Sequence, residues 1–138
     1  MSEPKQSEPT GRDEHGTVSL IDEEVLAGLI EDIGVEQLPA ALELFVAEMS
    51  RRAADLRRAT EGHDTEQLRR IAHGAKGSAA TFGAPAVAAA ARRLEEACKS
   101  GEPASSVPVL IAALLAEMAG ASGEVRRRIE SLQGSRNG

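Results

Sequence analysis

Five successive stretches of this chain place their apolar residues at the spacing of an α-helix, and the turns between them are short. Sequential helices joined by short loops must pack against their chain neighbours. The expected architecture is therefore all-α, an antiparallel up-and-down four-helix bundle with a short additional N-terminal helix. Composition agrees. Hydrophobic residues make up 41% of the 138, yet aromatics only 1%, Phe45 and Phe82, with no Trp or Tyr. Alanine takes up much of the remainder, which suits closely packed helices and leaves few β-branched or aromatic runs for a sheet.

The helix ends follow from capping chemistry. Ser19 or Asp22 caps a first helix carrying Val25, Leu26, Leu29, Ile30 and Ile33, which Gly34 ends. A second runs from about Glu36 to Thr60 with Pro39 in its first turn, and its stripe is Leu38, Leu42, Phe45, Met49, Ala53 and Leu56. Asp64 and Gln67 form a capping box for the third, which ends near Gly83. The fourth spans about Pro85 to Lys99, turns Val87, Ala91, Leu94 and either Ala97 or Cys98 inward, and stops at Gly101. The fifth begins around Ser105 or Ser106 with Pro108 in its first turn and extends to about Leu132, with Leu110, Ile111, Leu114, Met118, Ala121, Val125, Ile129 and Leu132 on its stripe. Gly120 and Gly123 weaken its middle by about 1 kcal/mol each relative to alanine. These elements define one domain over residues 18–132. Residues 1–17, polar and without apolar periodicity, are expected to be a disordered tail, and 133–138 a second tail.

Charge and cysteine usage exclude several functions. A formal net charge of -6 disfavours nucleic-acid phosphates as a partner. Cys98 stands alone, so neither an internal disulfide nor a cysteine metal cluster can form. No run is read as long and apolar enough to cross a bilayer, and the first residues lack a signal-peptide core. A cytoplasmic monomer without membrane contact is expected.

The chemistry concentrates in the third helix. At about 100° per residue, Leu68, Ile71, Ala72, Ala75, Ser78, Ala79 and Phe82 share one side, and His73 lies opposite. Glu66, Arg69, Lys76, Gly77 and Ala80 share the side of His73, with Arg70 nearby. An imidazole exposed on a rigid helix is a competent nucleophile when neutral. Lys76 and the two arginines offer charge to an arriving phosphoryl group. Gly77 lowers helix propensity but removes a side chain from beside the histidine, which makes sense if a partner must come close. Ser78 points back toward the bundle, where its hydroxyl either takes a carbonyl one turn earlier or ties to a neighbouring helix.

The run Ala72-His73-Gly74-Ala75-Lys76-Gly77-Ser78-Ala79-Ala80-Thr81-Phe82-Gly83-Ala84, followed by Leu94-Glu95 and Gly101, resembles the histidine-containing phosphotransfer (HPt) domain family. Leu42-Glu43-Leu44-Phe45 and Leu56-Arg57-Arg58-Ala59 are similar to that family's second helix. The resemblance implies that His73 is the phosphoacceptor, that Lys76 supports the phosphoryl group, and that Gly77 leaves room for a receiver domain. Glu66, Arg69, Arg70, Gly77 and Ala80 then form the docking side, while Ser78 and Gly83 shape the helix around it. The implied partners are receiver domains of response regulators and hybrid sensor histidine kinases. No cofactor is expected on this chain, and Mg2+ belongs to the partner receiver. Two positions depart from the family pattern: Ala75 stands where a larger aliphatic is usual, and Gly74 adds a second weak point beside the histidine.

The expected function is to accept a phosphoryl group on His73 from a receiver aspartate and pass it to another receiver. Autonomous kinase activity is not expected, because no phosphate-cradling glycine-rich loop is present. The alternative from another class is a non-catalytic helical adaptor that docks and regulates a receiver or sensor kinase.

Overall fold

The computed structural model describes residues 21–101 and 105–137 and is helical throughout its regular elements. The helices are α1 (Glu23–Ile33), α2 (Leu38–Glu61), α3 (Thr65–Phe82), α4 (Pro85–Ser100) and α5 (Val107–Asn137). Helices α2 to α5 pack in a ring, each against its chain neighbour and α5 back against α2, while α1 touches α2 and α3. The up-and-down bundle with a short extra helix is the observed fold.

Its core is the set of stripes expected from periodicity. Leu42, Phe45, Met49 and Leu56 of α2 meet Ala72, Ala75 and Ala79 of α3, Val87, Ala91 and Leu94 of α4, and Leu114, Met118 and Val125 of α5, all buried. The alanines on α3 and α4 let those two helices pack closely, and the Phe45 and Phe82 rings meet with centroids 5.2 Å apart. On α4 it is Ala97 that turns inward, with Cys98 half-buried beside it.

The caps resolve the remaining choices. Asp22 caps α1, accepting from the Glu24 and Val25 amides. Asp64 accepts from the Gln67 amide, but its own N–H goes to the Ala59 carbonyl, so the reciprocal half of the expected box is replaced by the turn. Gly83 ends α3 in the left-handed region at φ 74°. It also receives α1: the Asp22 amide donates to the Gly83 carbonyl, and a Cβ at Gly83 would lie 2.8 Å from Val25 Cβ. Both the backbone conformation and the close approach demand glycine here. Gly83→Ala is expected to lower stability by about 2 to 4 kcal/mol, combining the left-handed penalty with overpacking. Denaturant midpoints check this, and an unchanged midpoint would contradict the pinning of α1 on α3.

Two expectations need correction. α5 continues to Asn137, past Leu132, where a tail is expected. No proline interrupts it there, and Glu124 paired with Arg127 and Arg128 supports the approach to its last turns. Within Val107–Gly134 an 18-residue window reaches a mean hydropathy of 1.4, so by length and composition alone this segment is apolar enough to cross a membrane, contrary to the reading of the sequence. Its Ile111, Leu114, Met118, Ala121, Val125 and Ile129 are instead buried in the bundle, and a core helix passes the same test. The expected N-terminal tail lies outside the described residues.

Candidate functional site

Helix α3 presents His73 outward, with 65% of its side chain exposed. The turn of helix beneath it is anchored by Ala72 and Ala75, which are fully buried. The neighbouring helix α4 supplies what the sequence did not assign. Glu95 sits on the inward side of α4 next to Leu94, with only 3% of its side chain exposed. Its Oε2 accepts from His73 Nδ1 at 2.9 Å. Lys76 Nζ lies 2.8 Å from Oε1, an ion pair without hydrogen-bond alignment, and Lys99 Nζ lies 3.5 Å from Oε2. One buried carboxylate thus gathers the histidine and two lysines.

The Lys76 ammonium, working against burial and helped by His73 and Lys99, holds the Glu95 carboxyl down at about 2. An ionised carboxylate only accepts hydrogen bonds, so Nδ1 must carry the proton. In the neutral ring the lone pair then belongs to Nε2, which has no partner among the described residues. The arrangement fixes the tautomer and leaves the outward nitrogen nucleophilic.

The other expected residues divide. Lys76 and Gly77 flank the histidine as expected, and a Cβ at Gly77 would meet nothing within 4 Å. Glu66, Arg70 and Ala80 are exposed and Arg69 is half-buried. The two arginines, however, are clamped to Glu66: Arg69 Nε donates to Oε1 at 3.1 Å and Arg70 Nε to Oε2 at 3.3 Å. Arg69 chiefly brings the Glu66 carboxyl down to about 2. These cations are therefore partnered on their own helix, whereas Lys76, together with Lys99 of α4, shares Glu95 with His73. Ser78 takes the second of its two expected courses, donating to Glu48 on α2. His63 lies in the turn between α2 and α3, at φ 54°, and His15 lies outside the described residues.

Glu95 left a trace in the sequence. It follows Ala91 by one turn on a stripe otherwise apolar, and a carboxylate placed there requires partners. Their identity depends on which face of α3 packs on α4, which periodicity alone does not specify.

Gly77 supports two expectations of opposite sign. Gly77→Ala should stabilise α3 by about 1 kcal/mol, since nothing crowds the added methyl. Gly77→Leu should leave the fold intact and block receiver docking. Melting and receiver binding on the two variants check both; a Leu variant that binds and transfers normally contradicts the close approach.

A family model described as Hpt domain matches residues 40–135. The phosphorelay protein LuxU of Vibrio vulnificus is 33% identical over 85 residues, covering 62% of this chain and 74% of that protein. LuxU of Vibrio cholerae serotype O1 is 35% identical over 74 residues, covering 54% and 66%. Among solved structures, histidine-containing phosphotransfer protein B (HptB) of Pseudomonas aeruginosa PAO1 is similar with a TM-score of 0.77 at 29% identity. That match covers 83% of this chain and 98% of HptB.

Proposed function

The chain belongs to the Hpt domain family and is a histidine phosphotransfer protein of a phosphorelay, and on that premise we propose that Nε2 of His73 is the atom that carries the phosphoryl group. The observation that supports this is the buried Glu95 carboxylate on Nδ1. Nε2 attacks the phosphorus of a receiver's aspartyl phosphate; the N–P bond forms as the P–O bond breaks, and the aspartate leaves as carboxylate. The imidazole ring becomes positively charged, and Glu95 offsets that charge across the Nδ1 hydrogen bond. Reversal on a second receiver's aspartate returns the phosphoryl group. Mg2+ is assigned to the receiver, and autonomous kinase activity is not part of this reading. Proteins of this family are intermediates that meet receiver domains and kinases. We assign this one a monomeric, cytoplasmic role between two receivers.

Lys76 belongs to the transition state in this scheme. Its ammonium balances Glu95 at rest and meets the negative charge of the phosphoryl group only as that group arrives. Lys76→Ala should therefore slow transfer on the order of tenfold to a hundredfold, about 1.4 to 2.7 kcal/mol, with a smaller loss in receiver affinity. Rapid-quench rates and binding on the same variant test it. Equal losses in both make Lys76 a docking residue, and no loss in either removes it from the scheme.

A further inference from the structure

Gly74 has an occupant. A Cβ built on it would lie 2.3 Å from Nη1 of Arg52, 2.8 Å from its Cζ and 2.9 Å from its Nη2. All three distances are far inside van der Waals contact, so the guanidinium of α2 lies against bare α3 backbone, one residue from His73. Glu48 holds it from the other side: Arg52 Nε donates to Oε2 at 2.8 Å, and Nη2 lies 2.6 Å from the same oxygen. That carboxylate also accepts the Ser78 hydroxyl. Burial pushes Glu48 up, but Ser78 and Arg52 outweigh it and keep the carboxyl below its ordinary range, hence charged. Arg52 is 20% exposed, and its Nη1 has no acceptor among the described residues.

Stability does not account for this arrangement. A partly exposed Arg–Glu pair contributes about 0 to 1 kcal/mol. Glycine in mid-helix gives up about 1 kcal/mol relative to alanine, so the pair at best offsets what its own site costs. The geometry does favour recognition. Arginine's planar fork keeps one edge on Glu48 while the other remains for a second acidic group. The remaining cations around His73 have partners: Lys76 and Lys99 hold Glu95, and Arg69 and Arg70 hold Glu66. Arg69 Nη1 and the two Arg70 Nη groups also have no hydrogen-bond acceptor among the described residues, but Arg52 alone of these is seated on bare α3 backbone at Gly74 and held from another helix by Glu48.

We infer that Arg52, seated on Gly74 and steadied by Glu48 and Ser78, is a specificity-determining contact that receives an acidic group at the rim of the docking receiver's phosphorylation site. The inference rests on the phosphotransfer reading and commits to a receiver as the occupant. Complementarity of charge supports that choice, because a phosphorylated aspartate site brings negative charge to this face.

The test uses the full chain and the receiver domain, from a panel, that binds the wild type most tightly. Affinity and transfer kinetics are compared for wild type, Arg52→Ala, Arg52→Lys, Gly74→Ala and the Arg52→Ala/Gly74→Ala double variant. Arg52→Ala should weaken binding about tenfold and leave the saturating transfer rate within about twofold. Arg52→Lys, a point charge without the fork, should recover part of the affinity. Gly74→Ala should imitate Arg52→Ala although it strengthens the helix, because its methyl evicts the guanidinium. In the double variant the losses should not multiply, since both act through one group. Unchanged affinity in either single variant, or losses that multiply, overturns the inference. Wild type that binds the receiver but takes no phosphate sinks the phosphotransfer reading instead, and the affinity series still decides the role of Arg52.

Discussion

His73→Gln should take up no phosphate from a phosphorylated receiver and should melt with the parent. The histidine side chain is 65% exposed and makes one hydrogen bond, to Glu95. A glutamine amide can donate to the same carboxylate, so the buried charge keeps a partner and stability should move by less than about 0.5 kcal/mol. Chemistry responds differently, because an amide nitrogen has delocalised its lone pair and is no nucleophile. His63, the other histidine among the described residues, is no substitute. His63 sits in a tight turn at φ 54° without the buried carboxylate and lysine pair that serve His73. Radiolabel transfer together with a thermal melt checks the prediction, and residual labelling at a comparable rate would move the site elsewhere.

Glu95 should separate function from stability just as sharply. In Glu95→Leu a hydrophobic side chain of similar size replaces a buried carboxylate whose desolvation was never free. Such replacements are commonly neutral or stabilising when the former partners can return to water. Lys76, Lys99 and His73 are all at the surface and can do so. We therefore expect an unchanged or higher melting temperature. Transfer should fall about a hundredfold, because the ring loses both its tautomer lock and the charge facing the developing imidazolium. Glu95→Gln keeps an oxygen for Nδ1–H and should lose far less. If Glu95→Leu transfers like wild type, the carboxylate has no part in the chemistry. The pH dependence has a definite sign. Glu95 titrates at about 2 in the fold, below its ordinary value of about 4.3. The stability it contributes is complete above the unfolded value and disappears as pH falls toward the folded one. Between neutrality and pH 5 the lock on His73 stays closed.

The register of α3 was legible because an amphipathic helix announces its faces: Leu68, Ile71, Ala72, Ala75 and Ala79 are buried and His73 is not. Asp64 was legible as a cap and Asp22 as one of two candidates beside Ser19, since cap side chains act within three residues. Contacts across helices were not. Glu95 lies 22 residues from His73 and Glu48 lies 30 from Ser78, separations that only the packing of α4 and α2 on α3 can close. Gly74 looked like a weakness in the sequence and is a seat for Arg52 in the fold. The last turns of α5 were missed for a related reason. Polar residues at a helix end resemble a tail when periodicity is the guide, yet without a proline the backbone continues its hydrogen bonds.

Which ring nitrogen carries the phosphoryl group is the most direct question to put to the site. Nitrogen-15-labelled protein, phosphorylated by a receiver, should show phosphorus coupled to Nε2 of His73 and a retained proton on Nδ1. Phosphorus on Nδ1, or on any side chain other than His73, would contradict the role of Glu95 in directing the attack.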